Sequence, residues 1–458
     1  MNVGKLKKAN KGITLIALVV TIVVLLILAG ITISLVFSDN GIIKKAQEAA
    51  NKTQEAIENE QAQMNELADY MGNMLNEIDG GDSTENTTGP NGKPLVETLT
   101  EIQTNNNVEA EDKYGNPVTV PKGFKVVASE ATTVPEGIVI EDTNGNQFVW
   151  IPVGTVHKDN NPANDVTIEL GRYTFDTTTG EPTDVQLAYT AEDSTNYINK
   201  VEILGNKSNL IEVDESRAGV IDNDNHLNDL SATAKNLAGF VNSVKDNSGY
   251  YIARYEASYG SGDSIADWKP LSKVSKGIPR EYEQSDLSLQ EGMLWNWVTQ
   301  LDSSKICQNM YENDDTIGVE SDLINSYAWD TAIVFIQEMD EANSNYANKI
   351  DGNGTLKNTG ETEDKACNVF DMAANLTEWT TEYATNRDST TTYPCTSRGG
   401  IYNINFYCPA HRSVAVKATY IKQDVGFRPI LYVNWLLHKI VFLETVRENP
   451  IIPKQSNL

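Results

Sequence analysis

The stretch EGIVIEDTNGNQFVWIPVG, residues 136–154, decides the reading of the fold. Two apolar runs, EGIVIED (136–142) and NQFVWIPVG (146–154), flank Asp142, Thr143, Asn144 and Gly145. Asn-Gly between such runs signals a hairpin, because both residues tolerate the positive φ of a tight turn. The same texture continues outward. GFKVVAS (123–129) precedes the pair, and GYYIARYEAS (249–258) reads as a strand with Tyr251, Ala253 and Tyr255 on one face. Helical spacing is read over 224–244, 284–301 and 321–348; in the last, Trp329, Ile333, Ile336 and Met339 form one stripe. Short strands, few helices and many Gly, Asn, Asp and Pro loops predict a mixed α+β domain over 115–433. No internal repeat recurs at a fixed period.

The chain has 458 residues, 40% hydrophobic and 22% charged, enough to bury a sizeable core. Its 36 basic residues face 64 acidic ones, for a net charge of −28. That balance argues against a nucleic-acid partner, which needs a basic face for phosphates. Four cysteines are too few for a disulfide-built scaffold. His157, His226, His411 and His438 are scattered, which argues against a His-rich zinc site.

Residues 1–12 hold Lys5, Lys7, Lys8 and Lys11 and no acid. Residues 13–37, ITLIALVVTIVVLLILAGITISLVF, carry no charge. About 20 apolar residues cross a bilayer as a helix, so this run predicts a transmembrane span. The preceding lysines belong on the cytoplasmic side, which puts the acidic bulk outside the cell membrane. Two other readings fit a leading apolar run. One is a cleaved signal peptide, although its apolar part is usually about 7–15 residues; the other is a plain signal anchor. Residues 38–79 read as a helical stalk, with Ile42, Ile43, Ala46, Ala50, Ile57, Met64, Leu67, Met71 and Leu75 at helical spacing. The charges of that stalk suit a solvated face, and partner-helix packing stays open. A flexible linker is expected over 80–114, on the composition of GGDSTENTTGPNGKP (80–94). The tail, 434–458, suggests no function.

Lys11, Gly12, Ile13, Thr14, Leu15 and Ile16 resemble the class III leader of type IV prepilins. The resemblance implies cleavage after Gly12, methylation of Ile13 and a pilus-like assembly. The fifth mature position holds Ala17, where pilins carry a Glu that sets filament register.

Five further stretches, in order, resemble the formylglycine-generating enzyme (sulfatase-modifying factor) superfamily. They are FVWIPV (148–153), GYYIARYE (249–256), NVFDMAANLTEWT (368–380), RGG (398–400) and GFRP (426–429). The resemblance covers about 135–433 and implies a C-type-lectin-like fold. The family's oxidase binds copper through two cysteines five residues apart, and soft thiolates suit Cu(I). Here Cys408, followed by Arg412, matches the second position, but Asn403 stands at the first and Cys395 is misplaced. The expectation is therefore no enzyme and no copper, with Cys408 an ordinary thiol. The resemblance also implies calcium on backbone oxygens of Ala373, Ala374 and Leu376 and on Glu378; the alternative is that Glu378 caps a turn without metal. Asp351, Gly352, Asn353 and Gly354 lack the downstream Glu of a calcium loop and read as a surface turn. Trp379 and Phe427 are expected in the core, and Arg398, Arg412 and Arg428 are expected to brace loops.

Between Gly400 and Gly426 the chain is dense in Tyr, Asn, Phe, His, Ser and Cys. Tyr offers rigid contact area and Asn adaptable hydrogen bonds, the mixture that binding surfaces favour. With RGG and GFRP framing it, the segment also resembles the variable region of proteins diversified by retroelements. The alternative is an ordinary lectin-like loop. The candidate contact residues are Tyr402, Asn403, Asn405, Phe406, Tyr407, Cys408, His411 and Ser413. The reading is a surface-anchored binding protein for a protein or carbohydrate ligand. An oxidase of the resembled family and a pilin-like structural subunit are the alternatives.

Overall fold

The computed structural model describes residues 87–188, 201–203, 206–212, 234–262, 264, 267–277, 279, 290–352, 354–384, 395–416 and 421–433. The junction of residues 12 and 13, the predicted span at 13–37, the stalk at 38–79 and the tail at 434–458 lie outside them. Among the described residues no helix is long and apolar enough to cross a membrane. Everything below concerns the compact unit Glu85–Leu458.

The expected hairpin forms. Val139–Asp142 pairs antiparallel with Gln147–Pro152. Its turn is closed by Asp142, whose Oδ1 accepts from the backbone N–H of Asn144 and of Asn146, both at 2.8 Å. Asn146 Nδ2 returns a bond to Asp142 Oδ2 at 2.8 Å, and Gly145 takes φ +81°. An Asp side chain bonding two residues ahead is the driving force of such turns. The same device recurs in Asp112–Lys113–Tyr114–Gly115–Asn116, where Asp112 accepts from Tyr114 N at 2.9 Å and Asn116 N at 3.0 Å. That second turn joins Val108–Glu111 to Pro117–Val120. Residues 87–114 therefore belong to the folded unit and are not a linker. Val96 and Ala110 are buried there, and those apolar residues, with Val108, outweigh the Gly- and Asn-rich composition around them.

The hairpin sits in an all-antiparallel sheet ordered Val319–Leu323, Pro429–Val433, Gly249–Ala253, Gln147–Pro152, Val139–Asp142 and Phe124–Val126. A second sheet is ordered Val201–Ile203, Asn206–Glu212, Thr377–Ala384, Cys395–Arg398 and Arg412–Val416. Val425–Phe427 joins it in parallel against Thr377, Glu378 and Trp379. Only Arg428 separates Val425–Phe427 from Pro429–Val433, so it stands at the joint of the two sheets. Sheets with few helices make this a mixed α+β fold, as expected.

The helices depart from the sequence reading at their starts. Ser326–Met339 begins after Asn325, whose side chain accepts from Ala328 N at 2.9 Å. An Asn cap of this kind is worth about 1 kcal/mol. Residues 319–323, partly read as helix, are a strand, because Val319, Ser321 and Leu323 register against Pro429–Val433. The stripe of Trp329, Ile333 and Ile336 is buried as expected, with Met339 packed on its margin. The reading of 284–301 as helix fails for its described part. Residues 290–299 are irregular, Trp297 takes φ +58°, and the helix Gln300–Asn309 starts after Thr299. Met293, Leu294 and Trp295 are apolar because they pack under Ala257–Tyr259. Trp295 N donates to Ala257 O at 3.0 Å, and Tyr259 N to Met293 O at 2.8 Å. An unbroken apolar run has no period to separate these cases. Leu237–Asn247 is the helix expected over 224–244, shifted toward the C-terminus in its described part. Trp379 and Phe427 are fully buried, as expected.

Candidate recognition surface

Gly399 and Gly400 explain themselves by steric room. Gly399 has φ +93°, and a Cβ on Gly400 would stand 1.9 Å from Ala373 O. Only glycine lets this backbone pass so close to the 372–374 turn. Gly400 N then donates to Met372 O at 3.0 Å, and Tyr402 N to Asn375 O at 2.9 Å. The far end of the loop is held as firmly. Trp329 Nε1 donates to Pro409 O at 2.9 Å, Ala410 N to Ala347 O at 3.0 Å, and Arg398 Nε to His411 O at 3.2 Å.

Between these anchors the candidate residues divide. Asn403, Asn405 and Phe406 are exposed, Phe406 by 64%. Tyr407, Cys408, His411 and Ser413 are half-buried. Tyr402 is not a surface residue. It packs with Leu294, Leu356, Leu376 and Ile401 in a small apolar cluster, against which Tyr407 also leans. Ser413 lies on the strand Arg412–Val416 opposite Ser397, away from the loop's tip. The rings gather into one group: Phe406 and Tyr407 at 4.8 Å, Tyr407 and His411 at 4.2 Å. Burial, with Arg398 and Arg412 nearby, lowers the His411 imidazole to about 4. It is therefore neutral at pH 7 and can donate from one nitrogen and accept at the other. Burial pushes the Cys408 thiol up, which disfavours the reactive thiolate.

Beneath the loop lies a fully buried ion cluster. Arg172, Arg398 and Arg412 surround Asp330 and Glu382, all with side chains at 0% exposure. Arg172 Nη2 donates to Glu382 Oε1 at 2.6 Å and Arg412 Nε to the same oxygen at 3.0 Å. Arg398 and Arg412 each donate to one oxygen of Asp330. Burial alone would raise Glu382, but Arg412, Arg172 and Arg398 together bring it down to about 2. The sequence reading had Arg398 and Arg412 as loop braces but missed their carboxylates. The available signal was Asp330, the one charge among the buried residues of the helix Ser326–Met339.

The residues proposed for calcium occupy a second cluster. Glu378 is fully buried, and its Oε1 and Oε2 accept from Arg428 Nη2 at 2.6 Å and Nε at 2.9 Å. Arg428 also donates to Ala253 O and Phe370 O, both at 2.8 Å, which fixes the joint between the sheets. Ala373 O accepts from Asp351 N at 3.3 Å. Leu376 N and Asn375 Nδ2 donate to Glu256 at 2.9 and 2.6 Å. Calcium asks for six to eight oxygens, about 2.3–2.6 Å away, with carboxylate among them. A carboxylate already forked onto a guanidinium does not fit that donor set, and a cation beside Arg428 would be repelled. Among the described residues no three His, Cys, Asp or Glu side chains are grouped to hold a metal. Burial, then Asp371 and Glu378, raise Glu256 well above the usual carboxylate range.

No protein-family model, curated protein or solved structure matches this chain.

Proposed function

We propose that the chain is a surface-anchored recognition protein whose contact surface is the loop 400–411. The observation that carries this reading is Phe406. It is 64% exposed at the tip of a loop whose two ends are hydrogen-bonded to a buried scaffold. Its ring gathers with those of Tyr407 and His411 on an ordered loop, and such aromatic area is enriched in contact surfaces. Asn403 and Asn405 beside it add adaptable donors and acceptors. The leading segment 13–37 would tether this domain to the membrane with the loop outside, and the resembled C-type-lectin-like fold would be its scaffold. The oxidase alternative needs a second thiol where Asn403 stands.

The experiment screens the full chain and its Phe406→Asp/Asn405→Asp double variant against peptide and oligosaccharide panels. Binding by the parent and its loss in the variant are the expected results. Copper-dependent oxidation of a cysteine peptide, with no binding on either panel, would contradict the reading.

A further inference from the structure

Lys349 is set against a fully buried carboxyl. Its Nζ donates to Asp364 Oδ1 at 2.9 Å, and the Asp364 side chain is at 0% exposure. Every other lysine ion pair among the described residues meets a carboxylate at least 23% exposed. Tyr346, itself fully buried, touches both partners. Its ring centroid stands 5.6 Å from Lys349 Nζ, and its hydroxyl donates to Asp364 Oδ2 at 3.0 Å and Oδ1 at 3.2 Å. Ala373 N donates to Oδ2 at 2.6 Å. The amine therefore touches one carboxyl oxygen, while two fixed donors hold the other. Burial, then Asp364, raise the Tyr346 phenol well above its usual range, so it stays protonated as a donor.

We propose that Lys349 and Asp364 condense into an intramolecular amide cross-link, a modification that the chain carries out on itself. One proton passes from Lys349 Nζ to Asp364 Oδ1, the atoms already in contact. The freed amine attacks Cγ, and the negative charge that builds on Oδ2 is met by Ala373 N–H and Tyr346 O–H. A second proton follows from the nitrogen to Oδ1, the Cγ–Oδ1 bond breaks, and water leaves. Ammonium and carboxylate thus become one amide and one water, with no oxidant and no external reagent. Amide formation is disfavoured in water, but a well-oriented held pair reacts as though at a concentration on the order of 10⁵ M or more, which offsets that balance. The product also replaces a buried carboxylate by a neutral amide, which removes the cost of keeping that charge from water. The bond lies between the two seats of the recognition loop. Ala347, two residues before Lys349, accepts from Ala410 N at 3.0 Å, and Met372, beside Ala373, accepts from Gly400 N at 3.0 Å. Gly354, between the joined residues in sequence, donates its N–H to Tyr402 O at 2.6 Å.

The test is peptide mapping of the full chain by mass spectrometry, after denaturation and digestion with trypsin. In an unlinked chain trypsin cuts after Lys305, Lys349, Lys357 and Lys365. The expected result is a branched species, uncut at Lys349, in which residues 306–357 are joined to 358–365 and one water is missing. Lys349→Arg, which keeps the charge pair, is expected to release 306–349 and 358–365 as separate peptides. Tyr346→Phe is expected to form the branched species at least about tenfold more slowly after synthesis. Separate peptides 306–349 and 358–365 at their sequence masses in the parent would overturn the cross-link. A Lys349→Arg variant in which 358–365 is still joined to another peptide would overturn Lys349 as the amine. Equal rates in the parent and Tyr346→Phe would overturn the part given to the Tyr346 hydroxyl.

Discussion

Two buried charge clusters support the two sides of the candidate surface, and they are unbalanced in opposite directions. Under the loop 399–413, Arg172, Arg398 and Arg412 outnumber Asp330 and Glu382. Under the 371–378 turn, Glu256, Asp364, Asp371 and Glu378 outnumber Arg428 and the half-buried Lys349, which pairs with Asp364 at 2.9 Å. In the first, surplus guanidinium holds Glu382 down at about 2 despite burial. In the second, cations run short, and burial with Asp371 and Glu378 raises Glu256 well above the usual carboxylate range. A buried ion pair gains little over an apolar pair of the same shape, but losing one partner is severe. Removal of Asp330 or Glu382 from the first cluster should therefore cost more than removal of Glu256 from the second.

The largest expected effect is that of Asp330→Asn. It leaves Arg398 and Arg412 facing one fewer carboxylate in a dry site, at a cost of about 3–5 kcal/mol in unfolding free energy measured with urea. A loss under about 1 kcal/mol would show that the cluster is hydrated or dispensable. Next comes acid. Glu382 is depressed in the folded state, so its contribution is present above the unfolded value and lost as pH falls toward about 2. A depression of that size corresponds to about 3 kcal/mol, lost between about pH 4.5 and 2. Glu382→Gln should lack this limb in a stability–pH series, and an unchanged limb would remove Glu382 as its source. Gly400→Ala follows, at about 1–3 kcal/mol, because its Cβ displaces backbone rather than a flexible side chain. Chemical shifts of Ala373 and Ala374 should move with it; a silent substitution would mean that the loop is not seated on that turn. The smallest effect belongs to Glu256→Gln, about 1 kcal/mol at pH 7: it removes a charge that burial disfavours, but its amide nitrogen cannot accept from Leu376 N or Asn375 Nδ2. Glu256 is raised in the folded state, so stability is lost as pH rises above the unfolded value. The variant should lose less than the parent as pH rises through the neutral range, and parallel losses would remove Glu256 as the source.

Much of the fold was readable because it depends on local chemistry. Asn144 and Gly145 mark the hairpin, and Trp329, Ile333 and Ile336 mark the buried side of their helix. The failures share a cause. Met293, Leu294 and Trp295 form an apolar run without a period, and only their bonds to Ala257 and Tyr259 make them a loop. Val108 and Ala110 were absorbed into a linker because four-residue strands are too short to outweigh polar neighbours. Of the candidate contact residues, Asn403, Asn405 and Phe406 stand exposed, as loop residues commonly do. Tyr402 does not, because a Tyr on such a loop serves as well for packing as for contact. Glu378 was read as a metal ligand since a carboxylate's partner lies elsewhere in the sequence, here at Arg428, fifty residues on. Gly352 and Gly354 marked a turn, but nothing local says which loop it lies against.

The central claim is that the tip of the loop is displayed for a ligand and does not serve the fold. The direct measurement is the urea midpoint of the full chain with Asn403, Asn405 and Phe406 all replaced by Ser. The prediction is an unfolding free energy from that midpoint within about 1 kcal/mol of the parent, as for exposed positions that touch no core. A loss of several kcal/mol, comparable to Asp330→Asn, would make these side chains structural and contradict the account.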